Sequence, residues 1–320
     1  MLIQLLAIIA GFGLLIWGAD RFVLGASAAA RNLGVSPLLI GLTIVSFGTS
    51  APEILVSVMA SFNGNPGLAI GNALGSNITN IALVIGLTAV IVPLQVKSET
   101  IRREMPVLLM VTLLACALLL NGTLSVLDGL ILLIGLFVMI GWTIYIGLSS
   151  RKEDPIADEF ADEFPETMPA SWSLFWLFFG IAVLVLSSRL LVWGAVGIAT
   201  QLGISDLVIG LTIIALGTSL PELAASISCV IKDEHDIAIG NIIGSNMFNI
   251  LAVLSMPGLI APGAIQTEVI TRDAPFMLIL TLVFIFMARG LHKTGLINRI
   301  EGSILLLLYC GYQALLYFTI

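Results

Sequence analysis

Long apolar stretches, separated by short polar segments, recur from one end of the chain to the other. A helix needs roughly 20 apolar residues to cross the hydrocarbon core of a membrane. We therefore predict ten transmembrane helices, at about residues 2–22, 36–61, 68–92, 104–121, 124–148, 171–191, 205–231, 236–260, 273–289 and 300–319. Only α-helices and closed β-barrels satisfy all their backbone hydrogen bonds within lipid. The alternating apolar and polar residues of barrel strands are absent from the sequence, so the spans must be helices. The pattern predicts an all-α integral membrane protein.

Composition excludes a soluble domain, because 58% of the residues are hydrophobic, only 10% are charged and the mean hydropathy is +1.11. Much of the net charge of −7 comes from one polar stretch near the middle of the chain, from Glu153 to Glu166. It reads as a solvated linker, since the alternative of a regulatory calcium loop lacks the Asp-x-Asp-x-Asp-Gly pattern. We predict a first five-helix unit at 1–150, an acidic linker at 151–170 and a second unit at 171–320.

Two motifs occur twice, each at an offset of 169 residues. Gly-Thr-Ser-Ala-Pro-Glu at 48–53 returns as Gly-Thr-Ser-Leu-Pro-Glu at 217–222. Gly-Asn-Ala-Leu-Gly-Ser-Asn-Ile-Thr-Asn at 71–80 returns as Gly-Asn-Ile-Ile-Gly-Ser-Asn-Met-Phe-Asn at 240–249. Each copy of the first motif places a glutamate, Glu53 or Glu222, inside an apolar stretch, where an ionised group is costly and usually functional.

The duplication extends beyond these motifs, since residues 33–53 and 202–222 share 14 identities in 21 positions. Asp128-Gly129 corresponds to Glu301-Gly302 if four residues are inserted around His292. Each unit then holds five helices, and an odd number makes the second unit enter the membrane from the opposite face. The sequence thus predicts two inverted repeats, as in many secondary transporters whose substrate site lies near the bilayer midplane.

The basic residues divide unevenly between the two faces that this topology defines. One face carries eleven: Arg21, Arg31, Lys97, Arg102, Arg103, Arg151, Lys152, Lys232, Arg289, Lys293 and Arg299. The face of the termini carries two, Arg189 and Arg272. By the positive-inside rule we predict a multi-pass protein of the plasma (inner) membrane, with both termini outside and the acidic linker in the cytoplasm.

The first motif lies in the middle of its predicted span, and its glycine and proline suggest a broken helix near the midplane, tolerated where it lines a cavity. An opened turn would expose the carbonyls of Ser46 and Thr49 and the hydroxyls of Thr49 and Ser50. Carboxylate, carbonyl and hydroxyl oxygens suit hard cations such as Ca²⁺. Alternatively, Ser50 and Glu53 form a capping box at the start of a half-helix. Because both copies keep glutamate, we expect ion ligation, with capping as a second role.

The second motif spaces its polar residues four apart, which forms one polar stripe on an otherwise apolar helix. Its glycines, at positions 71, 75, 240 and 244, would permit close approach to the broken helix. Hydrogen-bonded contacts between helices are the alternative role for these side chains. The two roles stay open for Asn72, Asn77, Asn241 and Asn246, whereas we assign Ser76, Asn80, Ser245 and Asn249 to the site.

The doubled motifs resemble the paired α-repeats of the sodium/calcium exchanger family, over essentially the whole chain. The chain is most similar to the compact prokaryotic members, which lack a large cytoplasmic regulatory loop. The resemblance implies a central Ca²⁺ site and flanking Na⁺ sites with Asn80 and Asn249 in the middle. The implied Ca²⁺ ligands are Glu53, Glu222, Thr49 and Thr218. The implied Na⁺ ligands are Ser50, Ser76, Ser219 and Ser245, with the carbonyls of Ser46 and Ala215.

Some relatives, including K⁺-dependent exchangers, carry aspartate where this chain has Asn249, so asparagine argues against K⁺ co-transport. Ca²⁺/H⁺ exchangers have a glutamate at the positions of Gly75 and Gly244. With both asparagines neutral, the ionised site holds a charge of −2, which one Ca²⁺ balances. We predict a secondary antiporter that exchanges Ca²⁺ for Na⁺ by alternating access, with the first and sixth helices sliding over a fixed core.

Other functions stay open. A Ca²⁺/H⁺ or other cation antiporter would use the same site, with protons competing for the glutamates, and a cation channel would use the same oxygens. An intramembrane enzyme is not predicted, since the sequence has no paired catalytic aspartates, Ser-His set or His-Glu-x-x-His motif. We expect no cofactor, no nucleic acid and no obligate protein partner; the expected partners are the transported ions and the lipid bilayer.

Overall fold

The computed structural model describes residues 1–33, 46–96, 99–149, 168–231, 233–289 and 295–318. The first half contains α1 (Leu2–Asn32), α2 (Ser46–Thr49), α3 (Ala51–Phe62), α4 (Pro66–Ile78), α5 (Gly86–Ile91), α6 (Glu99–Leu119) and α7 (Val126–Ser149). The second half contains α8 (Ala170–Leu202), α9 (Asp206–Ile209), α10 (Ala215–Thr218), α11 (Leu220–Ile231), α12 (His235–Phe248), α13 (Ser255–Ile260), α14 (Ala274–Arg289) and α15 (Arg299–Phe318). The fold class is therefore helical, as predicted.

Within these residues, eight helical segments are long and apolar enough to cross a membrane. The predicted span 36–61 is described only from residue 46, and the predicted linker lies mostly outside the described residues. Helices α1 and α8 run past the predicted ends at residues 22 and 191. Hydropathy marks the part of a helix that meets hydrocarbon, and nothing requires the helix to end where the apolar run ends.

Two short antiparallel sheets confirm that the halves are inverted. Strand β1 (Leu94–Gln95) pairs with β4 (Leu296–Ile297), and β2 (Thr123–Leu124) pairs with β3 (Gly263–Ala264). Each sheet joins the loop after the third span of one half to the loop after the fourth span of the other. Within one half these two loops lie on opposite faces of the membrane. The pairs can form only if the two halves enter from opposite sides.

The starts of α7 and α15 confirm the predicted alignment of Asp128 with Glu301. The Ser125 backbone N–H donates to Asp128 Oδ2 at 2.8 Å, and the Asn298 N–H donates to Glu301 Oε2 at 2.8 Å. Both are the reciprocal side-chain-to-backbone bonds that satisfy free donors at a helix N-terminus. The starts of these two last helices are therefore equivalent in the two halves.

Helices α1 and α8 pack against each other through glycines. A Cβ atom at Gly180 would lie 2.7 Å from the Phe22 backbone nitrogen, and one at Gly25 would overlap the backbone of α8 at Leu177. At the centre of the molecule, every residue of α12 is buried. The candidate site residues of the second motif are thus carried by the most enclosed part of the fold.

Four π-helical segments interrupt the α-helices of the described residues: Thr79–Ile85, Gly210–Ile214, Asn249–Val253 and Val269–Asp273. The first and third are equivalent in the two halves, and each lies where Asn80 or Asn249 meets the site. Single π turns inside α-helices are frequent at functional sites. Residue spacing alone gave no signal for them, because an i→i+5 turn depends on packing.

Candidate functional site

The predicted breaks in the helices are present at Ser50 and Ser219, and each is only one residue long. The Ser50 N–H donates to the Ser46 carbonyl at 3.3 Å, and the Ile54 N–H donates to the Ser50 carbonyl at 3.1 Å. Bonds of 3.1 Å connect the second break in the same way. Pro52 has no N–H for the Gly48 carbonyl, which explains the interruption. The expectation of an opened turn is wrong: the chain kinks while most of the helical ladder continues.

The capping box predicted as a second role is not formed. Ser50 occupies the N-cap position of α3, but its side chain makes no capping bond. The hydroxyl oxygens of Ser50 and Ser219 are buried and have no hydrogen-bond partner. Because the helical ladder continues through Ser50, the first turn of α3 has fewer unpaired donors to cap. Both serines therefore keep a free oxygen inside the protein.

Glu53 and Glu222 are both completely buried. Neither carboxylate oxygen of Glu53 has a partner, whereas Glu222 Oε1 accepts a hydrogen bond from Ser245 Oγ at 3.2 Å and Oε2 has none. The ion pairs found in the described part of the chain include neither residue. Buried charges without a partner are expensive, so this pair points to a bound cation.

The threonine of each first motif contacts the second motif of the opposite half. Thr49 Oγ1 lies 3.2 Å from both Asn241 Oδ1 and Ser245 Oγ. Thr218 Oγ1 lies 3.3 Å from Asn72 Oδ1 and 3.5 Å from Ser76 Oγ. The site is therefore built across the interface between the repeats, and neither half completes it alone.

The asparagines divide between structural and free roles. Asn72 Nδ2 donates to the Glu53 carbonyl at 3.0 Å, and Asn77 Nδ2 donates to the Ala73 carbonyl of its own helix. Asn80 Nδ2 donates to Asn246 Oδ1 at 3.1 Å, which leaves Asn80 Oδ1 without a partner. Both amide atoms of Asn249 are unpartnered and buried. Asn80 and Asn249 therefore offer buried oxygens without hydrogen-bond partners.

The glycines of the second motif allow the close approach predicted for them. A Cβ atom at Gly75 would lie 2.7 Å from Ala215 Cβ, one at Gly244 would lie 2.8 Å from Ser46 Oγ, and one at Gly71 would overlap the Leu207 carbonyl. Each of these contacts reaches the kinked helix of the opposite half. This proximity brings Ser46 and Ala215 to the site; the Ser46 carbonyl accepts bonds from Ser50 N–H and Thr49 Oγ1.

Hydrogen bonds join six of the predicted residues: Thr49 bonds to the Ser46 carbonyl and to Ser245, Ser245 bonds to Glu222, and Thr218 bonds to Ser76. Asn80 bonds to Asn246, and Ala215 lies beside Gly75. The other four contribute buried polar atoms without partners: Ser50, Ser219, Glu53 and Asn249. Their oxygens are carboxylate, hydroxyl, amide and carbonyl, the set that hard cations prefer.

Sequence reasoning missed Ser57, one helical turn beyond Glu53. Its hydroxyl donates to the Val253 carbonyl at 2.9 Å. That carbonyl cannot receive the usual i+4 bond because residue 257 is proline. The sequence held one signal for this contact: Pro257 lies four residues after Val253 and leaves the Val253 carbonyl without its usual helical donor. Ser57 thereby ties the helix of Glu53 to the π segment that begins at Asn249.

Side chains of α1 cover both kinks. A Cβ atom at Gly217 would overlap the Phe12 ring, and one at Gly48 would overlap Val23 Cγ2. Only glycine leaves room for these side chains at the first position of each motif. The Phe22 ring also lies beside the Phe47 ring, tilted by 59°, with ring centroids 6.0 Å apart. Helix α1 therefore forms one apolar wall beside the candidate site residues.

The chain matches known proteins in both sequence and structure. The family model described as "Sodium/calcium exchanger protein" matches residues 3–145 and 172–318. The chain is 51% identical over 317 residues to the putative antiporter CaxA of Alkalimonas amylolytica, covering 99% of each chain. It is 41% identical over 286 residues to the inner membrane protein YrbG of Escherichia coli, covering 89% of this chain and 88% of the relative.

It is also 30% identical over 350 residues to the sodium/calcium exchanger MaX1 of Methanosarcina acetivorans, with 99% of each chain covered. Among solved structures, the sodium-calcium exchanger NCX_Mj, soaked with Na⁺ and Sr²⁺, matches with a TM-score of 0.69 and 34% identity over 98% of each chain. These matches extend over nearly the whole length and include both repeats. The chain belongs to the sodium/calcium exchanger family, and it is a membrane antiporter.

Proposed function

We propose that the protein exchanges Ca²⁺ for Na⁺ across the membrane at a site built from Glu53 and Glu222. The observation that carries this proposal is the pair of completely buried carboxylates with unpartnered oxygens, surrounded by neutral hydroxyl and amide groups. A charge of −2 in a low-dielectric site requires compensation, and one Ca²⁺ supplies it.

The ligand set supports Ca²⁺ over softer metals. Ca²⁺ takes 6–8 oxygen ligands in flexible geometry, and the two glutamates with Thr49 and Thr218 supply carboxylate and hydroxyl oxygens. In the described residues no group of three or more His, Cys, Asp or Glu side chains could hold a metal. The site therefore offers two charges and several neutral oxygens, which favours reversible binding over permanent retention.

Exchange follows from competition for the same carboxylates. We assign Na⁺ to positions flanking the centre, with oxygens from Ser50, Ser76, Ser219 and Ser245 and from the carbonyls of Ser46 and Ala215. Several Na⁺ ions would use Glu53 and Glu222 in place of one Ca²⁺. A site without cations would bury two uncompensated charges, so its movement across the membrane would be slow.

Access from the two faces would alternate as α1 and α8 slide over the remaining helices. The contacts of Phe12 with Gly217 and of Val23 with Gly48 support this, because they are apolar, lack hydrogen bonds and lie directly on the kinks. Cross-linking α1 to the core should therefore stop exchange. Full exchange in a cross-linked protein would contradict the sliding step, but it would not contradict the proposed ion site.

The decisive experiment is ⁴⁵Ca²⁺ uptake into proteoliposomes under outward gradients of Na⁺, K⁺ or H⁺. We expect uptake that depends on internal Na⁺ and is lost in Glu53→Gln and in Glu222→Gln. Glu104→Gln is the matched control, since Glu104 is also buried, at 3% exposure, but lies outside the site. Uptake driven only by H⁺ or K⁺ would mean that this ion, and not Na⁺, is the counter-ion. Uptake without any counter-ion gradient would indicate a channel.

A further inference from the structure

An apolar groove of about 330 Å³ lies between α6 and α7. Its walls come from residues spaced i, i+3, i+4 and i+7 on each helix, which is one face of each. The lining residues are Val107, Met110, Val111 and Leu114 of α6, Gly135, Val138, Met139 and Trp142 of α7, and Leu251 beneath them. The two helices therefore face each other without filling the space between them.

The second half provides an internal comparison, because α14 and α15 are the copies of α6 and α7. There Phe276 stands in place of Val107, Leu308 in place of Gly135 and Tyr312 in place of Met139. Phe276 and Tyr312 stack with their ring centroids 4.6 Å apart, and Tyr312 is 1% exposed. The equivalent seam is therefore filled by side chains, so the fold itself does not require the groove.

The groove opens toward the membrane. Met110, Val138 and Trp142 on its edges are 60%, 67% and 41% exposed. No lining side chain is charged. In a protein that spans the bilayer, surfaces of this kind meet lipid hydrocarbon, and an unfilled void beside them loses the dispersion contacts of its walls.

We propose that this groove binds one acyl chain of a membrane lipid. Its volume is at the lower end of the range for ligand sites, roughly 300–1,000 Å³, and its lining offers no polar group for a soluble ligand. The chain would rest on Leu251, in the π segment Asn249–Val253 that also carries the candidate ligand Asn249. The lipid would thus pack against a side chain of the segment that carries Asn249.

The test is photo-cross-linking in proteoliposomes that contain a phosphatidylcholine with a diazirine on one acyl chain. After irradiation and proteolysis, mass spectrometry locates the labelled residues. We expect labelling of residues 107–114 and 135–142 to exceed that of the equivalent residues 276–283 and 308–315 by at least several-fold. Equal labelling of the two seams would overturn the proposal.

Two variants fill the groove in different ways. Met139→Tyr reproduces the residue of the second half, and Gly135→Leu adds a side chain whose Cβ lies 3.0 Å from the terminal Leu251 Cδ2. Both should lose the label. Gly141→Leu is the matched control on the same helix, since a Cβ there meets no atom within 4 Å, and it should keep the label. Retained labelling in Met139→Tyr, or cross-links to a second copy of the chain, would contradict an acyl-chain site.

Discussion

In the second half Tyr312 fills the seam between two helices and donates a hydrogen bond to Asp273 Oδ1 at 2.8 Å; in the first half Met139 stands at the equivalent position and the seam stays open. The glutamates and asparagines of the candidate site, and the serines of its two motifs, have no such divergence, because both halves carry them at the same offset; only Ser46 differs, with Ala215 in its place. The ion ligands are therefore duplicated, whereas the packing around them differs. If the proposed site is shared by both faces, antiport constrains its ligands in both halves and leaves the lipid-facing seams free to diverge.

The largest effect should come from the duplicated glutamates. In the proposed site, Glu53→Gln and Glu222→Gln each remove one of the two charges that would balance Ca²⁺. Losing a partner of a buried charge costs about 3–5 kcal/mol, which corresponds to a loss of Ca²⁺ affinity of roughly 100-fold or more. Isothermal titration and ⁴⁵Ca²⁺ flux measure it. A loss in only one of the two variants would mean that the halves do not share the site equally.

The glycines at the kinks should come next. Gly217→Ala places a methyl group in the Phe12 ring and should slow transport about tenfold, since overpacking costs about 1–3 kcal/mol. Phe12→Leu in the same protein should restore much of the rate by making room. Gly48→Ala with Val23→Ala is the corresponding pair in the first motif. If Phe12→Leu gives no rescue in a flux assay, the contact between α1 and the kink does not limit transport.

The anchored tyrosine allows a smaller test of the seams. Tyr312→Phe removes the hydroxyl that bonds to Asp273 while Arg272 Nε keeps its 2.7 Å contact with that carboxylate. Hydrogen bonds to charged groups contribute about 1.5–3 kcal/mol, so the thermal unfolding midpoint in detergent should fall. Met139→Leu in the first half conserves volume and should change stability by less than about 1.5 kcal/mol. If Tyr312→Phe and Met139→Leu lowered the unfolding midpoint equally, the Tyr312 hydroxyl would contribute nothing to stability.

The smallest expected effect is a difference in stability between Ser57→Ala and Ser226→Ala, which change equivalent serines of the two halves. Ser57→Ala leaves the Val253 carbonyl without its donor, which should cost about 1–3 kcal/mol of stability. Ser226, its counterpart one turn beyond Glu222, is completely buried but its hydroxyl has no partner. Ser226→Ala should therefore be neutral or slightly stabilising. Thermal unfolding of both variants checks this, and a larger loss in Ser226→Ala would reverse the assignment.

Much of this architecture could be predicted from the sequence. Long apolar stretches indicate membrane helices, and the two repeated motifs show the duplication directly. The kinks at Ser50 and Ser219 were foreseen from glycine and proline. Their small extent was not, because proline removes one donor but leaves the neighbouring bonds possible. The hydrogen bonds from Thr49 to the opposite half also depend on distant pairing that local patterns do not encode.

The groove was invisible to sequence reasoning for a different reason. Val107, Met139, Phe276 and Tyr312 all read as ordinary apolar or aromatic residues of a span. Only the structure shows which of them meet across a seam, and whether their volumes fill it. The two-residue strands were equally hidden, since two residues cannot show a period.

Strand pairing between the halves also governs the order in which the protein can be assembled. During synthesis, Leu94–Gln95 leaves the ribosome long before its partner Leu296–Ile297. The first half must therefore wait in the membrane with an unpaired strand edge and with Thr49 lacking Asn241 and Ser245, its partners in the second half. Pairing of β1 with β4 is therefore one of the last events of biogenesis, and a chain truncated before Leu296 would hold every candidate site residue, the last of which is Asn249, but lack this link between the halves.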